Sequence, residues 1–484
     1  MIIKRLLSMQ NESLKLDEIL KWTGGNLINK VKDSFDFIGT DSRADLKEKL
    51  FIPLRGDAFD GHQFIQMAMD KGCNGVVFDS KTKDPTKFDM KATTVIQVED
   101  TLKALQDISH GYRKKLNKKI VAITGSAGKT TAKEFTSQIF NTYKKTYASQ
   151  GSLNNHWGVP FSLLNMRASD EFGVIEMGMN NYGEIQRLVE IADPDVVVCT
   201  MVGLAHFEHF GSQENIAKAK NEIYRYSRPD TLRIFNIDDS NVKKMMENFL
   251  NVNPGKPTIQ FSQVNPKSDI YLNLKKVSSE GLFIEGTIAG QSGQALVPVF
   301  GKHNITNVLV ASALALSVGM KPDMIWGALG KLKTNWGRNQ LLKADTGAQV
   351  IFDGYNANPD SMQSLIENVS ETPVAGKRVL VLGEMLELGE TKDKFHFELA
   401  KKIKSKNYDR VVFFGPSWKH FKDAFDSGSE KPQVWATEKM DEAIINEVKG
   451  DLKAGDLIAI KGSRGMKTEK VVSLLVQAFS HEKI

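Results

Sequence analysis

Cysteine is nearly absent: Cys73 and Cys199 are the only two in 484 residues. They lie far apart in apolar runs and make no Cys-x-x-Cys pair. That excludes a disulfide scaffold and a cysteine-based zinc site, and it fits a reducing, cytosolic setting. Charge of one sign is lacking as well. Sixty-four Lys and Arg against 58 Asp and Glu leave +6, too thin a balance to demand a nucleic-acid partner, yet compatible with an anionic small ligand. The one basic cluster, Arg113-Lys114-Lys115-Leu116-Asn117-Lys118-Lys119, carries no interleaved aromatics and reads as a solvated helix end and linker. Long apolar runs are missing too. Met1 to Lys15 has no apolar segment of the length a secretory signal needs. The stretch His303–Met320 is broken by Asn304, Thr306, Asn307, Ser312 and Ser317, so it reads as a buried helix, not a membrane span.

What is present is ordinary globular composition, 41% hydrophobic with 25% charged, enough for sizeable cores. At about 150 residues per domain the chain holds about three. Up to residue 117, short strands (Leu50–Leu54, Gly75–Phe78) alternate with a helix over Phe64–Lys71, which predicts an α/β unit. A second block opens on the β-branched strand Ile120–Ile123 and continues with strands at Gly173–Ile175, Val196–Cys199 and Leu232–Phe235. Helical patterns between them predict a mostly parallel sheet covered on both faces. A β-rich insertion over about Thr258–Val299 precedes the His303–Met320 helix. A third block begins near Trp336, with strands at Val350–Phe352, Arg378–Leu382, Val411–Phe414 and Leu457–Ile460. It lacks Gly-x-Gly-x-x-Gly, so a Rossmann-like sheet there need not bind a dinucleotide.

The sharpest local signal is Thr124-Gly125-Ser126-Ala127-Gly128-Lys129-Thr130-Thr131, set between a buried strand and a helix. Glycines let backbone N–H groups turn toward phosphate, and the helix N-terminus adds partial positive charge. Lys129 would neutralise the β- and γ-phosphates and the Thr130 hydroxyl would ligate magnesium. The strict motif needs a glycine six residues before the lysine, where Ile123 stands, so this is a shortened Gly-x-x-Gly-Lys-Thr loop; the competing reading is a chance glycine turn. Glu176 and His206 follow two strands at the carboxyl edge, where open parallel sheets place ligands, and could hold a second metal ion. His206-x-x-His209 could otherwise be a zinc pair, but no third ligand is spaced for it. On the helical stretch Ile216–Tyr224, Lys218 and Lys220 cannot share a face. One could point inward, although a helical lysine is ordinarily solvated.

Taken with Ser152–Pro160, Glu176–Asn180, Ala217–Tyr224, Gly301–Asn307, Gly337-Arg338 and Asp353–Pro359, the loop Thr124–Thr131 resembles the Mur ligases of peptidoglycan synthesis. The likeness runs through essentially the whole chain in the correct order. It implies an α/β, three-domain architecture: a UDP-sugar-nucleotide domain (1–117), a central P-loop parallel-sheet ATPase domain (118–335) and a Rossmann-like C-terminal domain (336–484) for the incoming dipeptide. Glu176–Asn180, Asp353–Pro359, Leu382–Gly389 and Lys461–Lys467 point to the branch that joins D-Ala-D-Ala to UDP-N-acetylmuramoyl-tripeptide. No Asp-Asn-Pro-Arg run, the mark of the branch adding the third residue, is present. That sister branch and a folylpolyglutamate-type ligase are the alternatives within the architecture, although the folate enzyme lacks the first domain. Outside it stand an ATP-hydrolysing switch, which would have no use for Glu176, His206 and Lys220, and a nucleic-acid ATPase, which would need a basic face.

The resemblance also assigns residues. ATP would be held by Gly125, Ser126, Ala127, Gly128, Lys129, Thr130 and Thr131, with Thr130 the loop's ligand to one of two magnesium ions. Glu176, His206 and a carbamylated Lys220 would complete the metal sites. Asn304 and Asn307 match positions near the adenine; Arg338 and Asp353 match those through which the last domain closes on the nucleotide. Tyr355 stands where some sister ligases place a lysine. Ser42, Arg43, Asp60, Gly61 and His62 match the uridine-nucleotide site, Asn154 and Asn155 the substrate side of the centre. Asn358, Ser463 and Arg464 are candidates for gripping the dipeptide, with packing or loop capping as the competing roles. A cytoplasmic monomer is expected.

Overall fold

The computed structural model describes residues 13–56, 59–81, 92–151, 153–203, 210–386, 388–425, 432–477 and 479. It separates into two compact units, one comprising Met1–Phe261 and Val310–Met320, the other Ser262–Leu309 and Lys321–Lys483. Residues 262–309 and 321–335, placed in the middle block on sequence, therefore lie in the second unit.

In the first unit the opening block forms a five-stranded sheet in the order Asn26–Asn29, Thr94–Val98, Gly75–Asp79, Leu50–Phe51, Ile38–Gly39. Only its outermost strand, Asn26–Asn29, runs antiparallel. Beyond it, the strand Lys119–Thr124 is buried from Ile120 onward and pairs in parallel with Phe172–Glu176 on one side and Val196–Cys199 on the other. A central parallel strand buries both faces, which is why its sequence is a continuous apolar run. Thr146–Ala148, Leu232–Asn236 and Thr258–Ser262 extend the same parallel sheet. The expected insertion thus starts too early: Thr258–Ser262 is a strand of the parallel sheet. It was misplaced because its residues are only half-buried until Phe261, so it lacks the unbroken apolar signature. One hydrophobic core runs from Leu14 and Phe35 through Ile120 and Ile175 to Phe235 and Met246.

In the second unit Ile270–Ser278, Gly281–Ile288 and Gln291–Val297 make an antiparallel meander. The last block is a six-stranded sheet ordered Gln340–Lys343, Gln349–Asp353, Leu457–Lys461, Arg378–Gly383, Arg410–Phe414, Gln433–Thr437, parallel except for its first strand. Apolar cores cover both faces of this sheet, as a doubly wound fold requires. The helix Asn304–Ser317 matches the apolar stretch expected to be a buried helix. Among the described residues no helix is long and apolar enough to cross a membrane.

Candidate active site

The strand Lys119–Thr124 ends in a loop held from three directions. Thr124 Oγ1 donates to Met177 O (2.9 Å), Ser126 N to Met201 O (2.9 Å) and Thr200 Oγ1 to Ala127 O (2.6 Å). Gly125 has φ +147°, and a Cβ there would lie 1.9 Å from Thr200 Oγ1. Gly128 has φ +80° and caps the helix Lys129–Asn141. Both conformations exclude ordinary L side chains. The loop therefore needs its glycines for backbone shape and close approach. Lys129 Nζ donates to Gly125 O at 2.8 Å and so folds back over the loop. Burial lowers its pKa, against the opposing pull of Glu176.

Glu176 is buried at the end of the neighbouring strand. Its Oε1 accepts from Asn154 Nδ2 at 2.9 Å, while its Oε2 is buried without a hydrogen bond. A carboxylate oxygen orphaned beside a phosphate loop is what a divalent-cation ligand requires, so the residues fit a magnesium site. Lys220 lies on the helix Gln213–Arg225, which Ser212 caps through Asn215 N. Its side chain is buried, whereas Lys218 on the opposite side is exposed. Burial brings the Lys220 ammonium down from 10.5 to about 8, with Cys199 pulling upward and Lys129 adding to the depression. His206 lies outside the described residues.

Two further expected substrate residues sit in the same unit. Asn154 is the amide on Glu176, and Asn155 Oδ1 accepts from Gly158 N (2.8 Å), ordering the turn into the helix Gly158–Leu164. In the first block Ser42 is buried and its carbonyl accepts from Lys71 Nζ (2.7 Å). Arg43 is solvent-facing and forks onto both oxygens of Asp41 at 2.9 and 3.0 Å. Asp60 Oδ1 accepts from His62 N (3.0 Å) and faces His62 Nδ1 (2.7 Å). His62 Nε2 faces Asp79 at 3.5 Å, and Arg55 joins both carboxylates. Desolvation keeps His62 below its usual pKa despite Asp60. Gly61 is required because a Cβ would meet Leu54 O at 2.8 Å. Beside this block opens a cleft whose largely apolar wall includes Phe37, Leu46, Leu153, Trp157 and Phe161, together with Asp41.

The second unit holds the remaining expected residues. Asn304 Nδ2 donates to Phe300 O (2.6 Å), and its Oδ1 accepts from Asn307 Nδ2 (2.9 Å), so the two amides are one buried pair. The Arg338 guanidinium lies 4.3 Å over the Tyr355 ring. Asp353 accepts from Asn339 N (3.2 Å) and pairs with the buried Lys461, which also donates to Asn356 O (2.9 Å). Asn358 caps the helix Pro359–Glu371 through Ser361 N (2.8 Å). Ser463 is buried, accepting from Leu386 N (2.8 Å) and donating to Ala357 O (3.3 Å). Arg464 lies over Trp336 (4.4 Å) and pairs with Glu469 (3.1 Å). Sequence reading missed Thr200 and Lys133, and gave Lys461 no role beyond its place in the run Lys461–Lys467. Lys133 carried one signal, its i+4 spacing from Lys129 on one helix.

A parallel-sheet strand delivering a glycine-turned loop to a helix, with a buried carboxylate oxygen that accepts no hydrogen bond and a buried lysine nearby, defines a P-loop nucleotide-dependent enzyme. Comparison with known families identifies which. The Mur ligase middle-domain model matches residues 123–315, the model for the Mur ligase glutamate ligase domain 337–464, and that for the Mur ligase family catalytic domain 34–113. The chain is 35% identical to the UDP-N-acetylmuramoyl-tripeptide--D-alanyl-D-alanine ligase of Bacillus subtilis, over 91% of this chain and 93% of that one. It is 32% identical to the enzyme of the same name from Escherichia coli, over 91% and 94%. A crystal structure of MurF from Acinetobacter baumannii superposes with a TM-score of 0.83 at 26% identity, covering 96% of this chain and 99% of that one. MurF ligase from Thermotoga maritima in complex with ADP matches with a TM-score of 0.70 at 25% identity, over 90% and 96%. This chain belongs to the Mur ligase family.

Proposed function

We propose that this protein is the ATP-dependent ligase that joins D-Ala-D-Ala to UDP-N-acetylmuramoyl-tripeptide. A carboxylate is a poor acyl donor because its leaving group would be oxide. The γ-phosphoryl group passes from ATP to the tripeptide's terminal carboxylate, giving an acyl phosphate and ADP. The amine of D-Ala-D-Ala attacks the acyl carbon, and phosphate leaves through a tetrahedral intermediate. The enzyme's share is positioning and charge neutralisation. Lys129 and the loop amides take the phosphates. Thr130, Glu176, His206 and Lys220 would hold magnesium, which spreads the negative charge of the transferring phosphoryl group. A buried amine depressed to about 8 holds a sizeable neutral fraction near neutral pH, the form that carbon dioxide carbamylates, and the carbamate supplies the anion a metal site needs.

Asn304 and Asn307 serve the adenine end, Arg338 and Asp353 the closing side of the nucleotide. The apolar cleft beside Ser42 and Arg43 suits the flat uracil base, with Asp60, Gly61 and His62 shaping that block. Asn155, Asn358, Ser463 and Arg464 order loops around the peptide ends. ATP and a UDP-linked precursor are cytoplasmic reactants, and we place the reaction there, carried out by a monomer.

The observation that supports this reading most directly is the unsatisfied Glu176 Oε2 beside Lys129 and the phosphate loop. The test is isotopic. Tripeptide substrate labelled with ¹⁸O in its terminal carboxylate should pass one label into inorganic phosphate on turnover. Phosphate free of label, with peptide product still formed, would exclude the acyl phosphate.

A further inference from the structure

Lys133 stands one helical turn beyond Lys129 on the helix Lys129–Asn141, and no step above uses it. It is fully buried. An ammonium has three donors, and burying it is unfavourable unless all are engaged. Here three acceptors surround it. Nζ donates to Gly151 O at 3.3 Å, lies 3.3 Å from Glu134 Oε1 and 3.7 Å from Glu176 Oε2. The last is the buried carboxylate oxygen that has no hydrogen bond. The Glu176 carboxylate is thus fastened on one edge by Asn154, and on the other faces a cation too distant to hold it by a hydrogen bond. Gly151 begins the segment that carries Asn154, Asn155 and, on the wall of the apolar cleft, Leu153 and Trp157.

We propose that Lys133 is a positioning residue for the ligase reaction. Through the Gly151 carbonyl its buried ammonium ties the segment that carries Asn154 to the phosphate-loop helix, and Asn154 in turn fixes the Glu176 carboxylate by Oε1, with Oε2 left for a divalent cation. The inference rests on the reading of Glu176 as a metal ligand. Lys133 touches no reactant; it acts through Glu176 and the segment after Gly151. A purely Coulombic effect would have the opposite sign, because a cation beside Glu176 repels an incoming metal and its removal would tighten the site.

The test uses the full chain and two readouts: the magnesium concentration that half-saturates the affinity gain for the non-hydrolysable ATP analogue AMP-PNP, measured by calorimetry, and steady-state turnover. Lys133→Met should raise half-saturating magnesium about tenfold and lower kcat by at least as much, the usual scale for a group that orients a metal ligand. Lys133→Arg, which keeps the charge and donors, should recover most of both. Half-saturation within about twofold of wild type, or below it, in folded Lys133→Met would overturn the proposal. Should Lys133→Met fail to fold, Glu134→Gln decides. With Glu134 neutral the ammonium turns onto Glu176 and half-saturating magnesium rises; no rise would overturn the proposal. Glu176→Gln separates the two readings: if magnesium dependence survives it unchanged, the metal-ligand reading fails and the proposal with it.

Discussion

Replacing Lys220 with methionine should make this protein more stable while removing its activity. Lys220 is about 1% exposed, and burial brings its ammonium from 10.5 to about 8. At neutral pH the folded chain therefore carries a charge it would rather shed. The gap corresponds to about 3 kcal/mol of unfavourable free energy. The sign follows from proton counts. Below about pH 8 both folded and unfolded chains are protonated at Lys220 and the full penalty is present. Between about 8 and 10.5 the folded form has lost the proton and the unfolded form has not, so the penalty fades as pH rises. Methionine fills similar volume without charge. In urea titrations in carbon-dioxide-free buffer at pH 7, Lys220→Met should exceed wild type by up to about 3 kcal/mol, and the difference should shrink as pH rises from 8 toward 10. Near pH 7.5, about a quarter of the Lys220 amines are neutral, against about one in a thousand for an ordinary lysine. Bicarbonate should accordingly stimulate wild type and leave the methionine variant inactive. A variant less stable than wild type at pH 7, or a difference that ignores pH, would refute the reasoning.

Gly125→Ala places a methyl group against Thr200 Oγ1 at a φ of +147°. We expect about 1–3 kcal/mol of local strain, with AMP-PNP affinity down tenfold or more by calorimetry and the fold retained by circular dichroism. Arg233→Met should destabilise by at least about 2 kcal/mol in chemical denaturation, because the buried guanidinium donates to the carbonyls of Tyr224, Ser227, Arg228 and Thr231 around the end of the Lys220 helix. Asn358→Asp should keep the helix cap, and with it stability to within about 0.5 kcal/mol. It should raise KM for D-Ala-D-Ala, through repulsion of the dipeptide carboxylate, and leave KM for ATP unchanged; an unchanged dipeptide KM would leave Asn358 a cap alone.

The strands and the phosphate loop were legible because each rests on a one-dimensional signal. Ile120–Ile123 is a β-branched run buried on both faces, and Gly125 and Gly128 occupy positive φ, so the residue types betray the backbone. Edges were harder. Thr146–Ala148 is three half-buried residues, and Thr258–Ser262 shows no continuous apolar run, so neither announced itself as a parallel strand. Helical spacing narrowed the inward lysine to Lys218 or Lys220 and the resemblance chose Lys220; the fold buries Lys220 and exposes Lys218. Thr200 was invisible because a threonine after a strand is commonplace, and its contact with Ala127 joins residues 73 apart in sequence. Lys133 could have been suspected from its spacing to Lys129, but a carboxylate partner 43 positions away (Glu176) is a property of the fold.

The measurement that bears most directly on the central claim is phosphate release from ATP and magnesium, with UDP-N-acetylmuramoyl-tripeptide and D-Ala-D-Ala supplied separately and together. The account predicts sustained release only when both are present, with a product heavier than the tripeptide by one dipeptide residue. Release indifferent to either peptide, or supported by a single diamino acid on the dipeptide precursor instead, would contradict it.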